Sequence, residues 1–257
     1  MINLLRGEVY KLQKSKYAYI CCIAMVAFVL LLYGTSLLQM IQQGEVANGV
    51  YEEIFLNMAE VMFGGFGSII AVIFVFIFVY SEYANGAIKN IVGKGYVRWK
   101  IFGAKYLSAM LTVVIMQIIM GLTILVFDRL CMGQGKMAQE IYQNYYSYAG
   151  IQILMGAALT GIMIVINQMC RSLGTGIAVN ICVVMFSSNI TSGIDAVLSC
   201  VNCDVTISDY WIPSLISNCS MMNIDSSFGI RTIILSMIWI VLAFGIGTLH
   251  FEKTDVK

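Results

Sequence analysis

Residues able to do chemistry are few in this 257-residue chain, and their spacing withholds most reactions. Glu52 and Glu53 are adjacent carboxylates, the kind that intramembrane metal-assisted peptidases combine with later histidines. That arrangement needs an Arg after "EExxx", where this chain has Asn57, and histidines at a matching depth, whereas the single histidine is His250. Cys200 and Cys203 form a lone CxxC with Cys219 further on, but a metal centre needs more Cys or His ligands at suitable spacing. A disulfide involving Cys219 and a set of inert thiols both fit the pattern. Cys21, Cys22, Cys170 and Cys182 lie in or beside apolar runs, where cysteine behaves as a small hydrophobe. No catalytic residue and no metal site is expected. A phosphate loop of the form GxxxxGK[ST] is missing too, so if ATP drives this protein the motor is another chain.

One further group stands out. Glu82, Lys89, Lys94, Arg98 and Lys100 gather in "SEYANGAIKNIVGKGYVRWK", directly behind the uncharged run "VMFGGFGSIIAVIFVFIFVY", in a chain only 11% charged. The elements around this segment follow from composition. A hydrophobic share of 60% and a mean hydropathy of +0.85 exceed the roughly 45–50% of a soluble domain. A helix crossing hydrocarbon needs roughly 20 apolar residues, and runs of that kind lie at Tyr17 to Leu38, Val61 to Tyr80, Tyr106 to Phe127, Tyr148 to Met169, Ser172 to Ile194 and Thr232 to Leu249. The expected fold is all-α and polytopic, with six transmembrane helices in one transmembrane domain, residues 1–257. The first run is longer than the roughly 7–15 residues of a secretory h-region and lacks a cleavage pattern, so it reads as a retained helix.

Basic residues set the orientation, because short cytoplasmic loops are enriched in Lys and Arg. With both ends inside, twelve of them (Arg6, Lys11, Lys14, Lys16, Lys89, Lys94, Arg98, Lys100, Lys105, Arg171, Lys253 and Lys257) are cytoplasmic, against three outside (Arg129, Lys136 and Arg231). The acids run the other way: Glu45, Glu52, Glu53, Glu60, Asp128, Glu140, Asp195, Asp204, Asp209 and Asp225 fall outside. The expected location is the cell membrane, multi-pass, with cytoplasmic termini.

Flanking features are less specific. Within residues 1–16, Ile2, Leu5, Val9 and Leu12 recur at helical spacing, away from Arg6, Lys11 and Lys14. That suits an amphipathic helix in the headgroup layer, and a basic flank that only sets topology fits equally. Asp128 to Tyr146 reads as a loop ending in "IYQNYYSY", whose tyrosines suit an interfacial belt. The outer segment 195–231 holds the only proline, Pro213, placed to start or break a short helix, and a pair of surface or re-entrant helices fits there. Gly156, Ala157, Gly161, Gly174 and Gly176 permit close helix approach. The spans offer only neutral polar groups, such as Gln117, Gln152 and Asn180, which argues against ion or proton coupling.

"EYANGAIKNIVGKGYVRWKIFGAKY", starting at Glu82, resembles the stretch "E(Y/F)xxGTIKxxLxxGxSRxxxxxxK" after the second span of type-two ATP-binding-cassette exporter permeases. That group includes lantibiotic-immunity, bacitracin-resistance and phenol-soluble-modulin permeases. The similarity extends to the N-terminal helix, the six spans and the proline-bearing outer segment. Ala87 stands where Thr is frequent and Val97 where Ser is frequent, which leaves the subtype open. The resemblance implies that the cytoplasmic coupling segment, residues 81–100, docks on an ATPase subunit through Glu82, Tyr83, Gly86, Ile88, Lys89 and Asn90, with Gly95 and Arg98 in the return to the third span. It implies two copies of an ABC ATPase that bind the ATP and magnesium, no cofactor in this chain, and a second permease, identical or a sister chain. Besides these partners and membrane lipid, the expected cargo is an amphipathic or hydrophobic peptide, as in antimicrobial peptide export and immunity; nucleic acid is not expected. Met25, Met62, Met110, Met116, Met155 and Met163 offer a deformable apolar wall for such cargo, or simply pack between helices. A lipid, lipid-linked precursor or drug exporter is the alternative, and a non-transporting scaffold or sensor subunit the alternative of another class.

Overall fold

The computed structural model describes residues 2–43, 48–84, 93, 95–132, 139–170, 173–200, 206–220 and 226–253. Among them every regular element is helical. Helix α1 covers Ile2–Lys14, α2 Lys16–Gln43, α3 Asn48–Glu60, a π-helical segment Val61–Phe66, α4 Gly67–Ala84, α5 Arg98–Met132, α6 Gln139–Met169, α7 Leu173–Cys200, α8 Ile212–Asn218 and α9 Ser226–Lys253. Six stretches are long and apolar enough to span a membrane: Lys16–Ser36, Ile54–Tyr80, Arg98–Leu130, Ile141–Met169, Gly174–Cys200 and Ser227–Lys253. The protein is a polytopic all-α membrane protein.

The six spans match the six apolar runs, but the helices overrun them. Gln39 to Asn57 reads as a loop in the sequence, yet α2 continues to Gln43 and α3 begins at Asn48. With no Pro in either stretch, the polar ends cost little in helical form and satisfy their own backbone groups. Similarly, Asp195 lies inside α7 rather than opening a loop, and α9 starts at Ser226, before Thr232. The Asp195 Oδ1 and Oδ2 accept the backbone N–H groups of Ile207 (2.6 Å) and Ser208 (3.0 Å), which ties the segment before α8 back onto α7.

Helix α5 is the mast of the bundle, with α1, α2, α6 and α9 around it. Large side chains on α5 enter glycine positions on its neighbours. Phe102 fills the space over Gly247 of α9, Tyr106 that over Gly161 of α6, and Gln117 that over Gly156 of α6, so that a Cβ at any of the three would overlap the incoming group. Tyr106 adds a hydrogen bond to the Ile240 carbonyl of α9 at 2.9 Å. The small residues that permit close helix approach therefore receive side chains from the neighbouring helix, which gain dispersion contact.

Helix α1 is formed as the periodicity requires, but its apolar side turns to protein. Leu12 and Glu8 are buried, α1 packs on α5, and Glu8 pairs with Lys11 at 2.9 Å. The tyrosines of "IYQNYYSY" also turn inward. Tyr145 and Tyr148 are buried in the core, with the Tyr145 hydroxyl donating to the Gly121 carbonyl at 2.8 Å, while Tyr146 is exposed. Phe55 and Phe63, brought alongside by α3 and the π segment, cover their rings.

Candidate functional site

Two regions hold polar groups that packing alone does not explain. The first is the connection between α4 and α5. Glu82 and Tyr83 occupy the last turn of α4 as backbone helix. Gly86, Ile88, Lys89 and Asn90 lie outside the described residues. Gly95 has φ of +80°, a left-handed conformation that costs an L side chain roughly 1–2 kcal/mol, which is why glycine ends the return loop. Tyr96, Val97 and Trp99 follow with exposed side chains, and the Lys100 ammonium lies 5.6 Å from the Trp99 ring centroid. Arg98 donates from Nη1 to the Glu252 carbonyl at 2.9 Å, tying the start of α5 to the end of α9. Arg98 is thereby joined to the last helix, a partner that sequence spacing did not suggest.

The second region surrounds α7 and α8. Pro213 sits in the first turn of α8, where its missing N–H is harmless and its fixed φ favours helix. Five of the seven residues of α8 are buried, from Ile212 to Ile216. Three polar contacts fasten this short helix and the residues behind it. Ser214 and Thr191 of α7 share a 2.6 Å hydroxyl contact, Gln152 of α6 donates to the Ile216 carbonyl at 3.3 Å and the Tyr148 hydroxyl at 3.1 Å, and Ser220 donates to Glu60 at 2.8 Å. Glu60 immediately precedes the π-helical segment Val61–Phe66, a geometry that often marks functional sites. Cys219 is a buried free thiol beside this cluster, and burial together with the Glu60 carboxylate pushes it up to about 11. Of the two readings of that cysteine, the structure has the inert thiol.

Span α7 differs from the others. It is the least buried of the six, and Thr175, Cys182, Asn189, Ser192 and Ser199 are exposed along it together with Met185, Phe186 and Ile190. This face is amphipathic, and the one charge on the helix is Asp195, near its end. The neutral polar groups Gln117, Gln152 and Asn180 are instead buried. So are Met25, Met62, Met116, Met155 and Met163, with Met110 partly covered, and these packed side chains do not form an open cargo wall. Asp128, expected in an outer loop, is buried near the end of α5 and accepts the Tyr142 hydroxyl at 2.7 Å.

Among the described residues no three His, Cys, Asp or Glu side chains gather as a metal site requires. A bundle with six spans defines the class, a multi-pass membrane protein. The family of ABC-2 family transporter proteins matches residues 4–188, well over half of the chain, and the chain belongs to that family. It is therefore the permease subunit of an ABC transporter and not itself the ATPase, and an ABC ATPase is its partner. No curated protein matches the chain in sequence.

Proposed function

We propose that the chain exports amphipathic or hydrophobic peptides, acting as one of two permeases, identical or sister chains, on two ATPase subunits that bind ATP and magnesium. The observation that carries this reading is the outward face of α7. Among Met185, Phe186 and Ile190 stand Asn189 and Ser192, which donate to the Met185 and Ser188 carbonyls of their own helix at 3.2 Å and 2.9 Å and keep acceptor oxygens turned outward, and polar groups in membranes are favoured where protein or a cavity meets them. Its hydrogen-bonding groups suit a peptide backbone, its apolar groups suit hydrophobic side chains, and its one carboxylate, Asp195, is taken up by the Ile207 and Ser208 N–H groups, which gives an ion no charged pathway. The second permease closes the other side of this face.

The cytoplasmic assignment of the end holding the termini and the α4–α5 connection rests on the twelve-to-three distribution of basic residues. At that end Glu82, Tyr83, Gly86, Ile88, Lys89 and Asn90 form the ATPase contact, with Gly95 and Arg98 shaping the return. The test uses vesicles containing the permease and the ATPase that copurifies with it. ATP-dependent accumulation of a cationic amphipathic peptide, lost when ATP hydrolysis is blocked, is the expected result. Transport confined to lipid or lipid-linked precursors refutes the peptide cargo, and failure to retain any ATPase refutes the docking role of the connection.

A further inference from the structure

Helix α7 follows α6 in the chain, yet its main neighbour inside the bundle is α4. The reason is a single seat. Phe76 of α4 is fully buried, and its ring occupies the space over Gly176 of α7, where a Cβ would overlap several ring carbons. One turn further along α7, Asn180 donates to the Gly176 carbonyl (2.8 Å) and to the Asn167 side chain of α6. Beyond that, Thr191 reaches Ser214 of α8, and most of the remaining surface of α7 is uncovered. The anchoring of the other helices contrasts with this. Helices α5, α6 and α9 are locked to one another by the Phe102, Tyr106 and Gln117 knobs. Helices α5, α6 and α9 thus form a locked block, α4 packs on α6 of that block as well as on α7, and α7 itself hangs chiefly from α4.

We infer that Phe76 and Gly176 are positioning residues that couple α4 to α7, so that the two helices move as one unit and a displacement of the segment after α4 is delivered to the cargo-facing span. Phe76 sits two turns before the end of α4 at Ala84, close enough for the stiff helix to transmit a shift without loss. A ring seated on a glycine resists sliding because every direction off the seat meets backbone or side chains at close packing. The inference rests on the reading of α7 as the cargo-facing span.

The test has two arms. In the first, all eight native cysteines are replaced by serine or alanine, and Phe76→Cys with Gly176→Cys is treated in membranes with a short bifunctional thiol reagent. A reagent longer than a disulfide is chosen because a phenyl ring separates the two positions. High linking yield in the chain alone is expected, and no linking overturns the seat itself. With the copurifying ATPase present, the linked protein should retain peptide transport per ATP hydrolysed, since helices that move together are unaffected by joining; loss of transport on linking overturns the unit. In the second arm, Gly176→Ala in the native chain wedges the helices apart, and transport per ATP should fall by about tenfold, the scale of effect of overpacking a tight contact. Adding Phe76→Leu to Gly176→Ala should restore most of it. A neutral Gly176→Ala, or a loss that the smaller side chain fails to rescue, overturns the coupling role. If no ATPase copurifies, the transport reading fails and the coupling role with it, while the linking yield still reports whether α4 holds α7.

Discussion

At the scale of single residues, the α4–α5 connection gives the sharpest expectations. Replacing Ile88 with Asp puts a charge where the docking reading needs an apolar contact, and an unpaired buried charge is costly. ATPase retention on copurification should fall about tenfold or more, with membrane insertion intact; unchanged retention returns the segment to a loop that only fixes topology. Gly95→Val forces a β-branched residue into φ of +80° and should lower the stability of the folded protein by about 1–2 kcal/mol, read as a drop in the thermal midpoint in detergent. The cysteines supply a pH test. A thiol pushed up to about 11 is reactive only as thiolate, so at pH 8 about one Cys219 in a thousand is reactive by the Henderson–Hasselbalch relation. Raising pH increases that fraction tenfold per unit. Iodoacetamide at pH 8 should therefore modify exposed Cys200 well before Cys219, and equal rates would contradict the buried setting.

At the scale of elements, knobs and hydroxyl ties carry the packing. Gly161→Leu inserts a side chain where the Tyr106 ring and hydroxyl already sit, and overpacking of this kind costs about 1–3 kcal/mol. The same change at Gly174, where nothing stands within 4 Å of a Cβ, should be nearly neutral, and the pair of thermal midpoints separates seat from surface. The Thr191–Ser214 contact makes a second case. Hydrogen bonds between membrane helices average about 0.6 kcal/mol in double-mutant cycles, so Thr191→Val and Ser214→Ala should show a coupling of that size, and additive effects would mean that the tie holds nothing. Among the elements themselves, α8 was legible because Pro213 marks a helix start, whereas α3 was not. Its sequence "NGVYEEIFLNMAE" is polar enough to read as loop, and only packing of Phe55 and Met58 against the core makes it a helix.

At the scale of the whole molecule, six spans bring both termini to one end, and Arg98 bonded to the Glu252 carbonyl holds the α4–α5 connection at the same end. In the proposed orientation that end is cytoplasmic. In intact cells, a membrane-impermeant maleimide should label an introduced Asn48→Cys and leave Lys94→Cys unlabelled until the membrane is opened. The reverse pattern would invert the protein and move the connection away from any cytoplasmic ATPase.

Span number and helical class were written in the linear sequence, because both depend on a local property, apolar length against bilayer thickness. Tertiary structure alone decided which way each face turned. The tyrosines of "IYQNYYSY" carry the same composition whether they meet headgroups or Phe55 and Phe63, and the methionines are equally apolar against cargo or against a neighbouring helix. In a chain this hydrophobic, lipid and protein interior are solvents of nearly equal polarity, so hydropathy cannot tell a buried face from a lipid-facing one. Shape makes that distinction. Gly176 receives Phe76 and Gly174 receives nothing, although two residues apart in one helix, because only one of them points at α4.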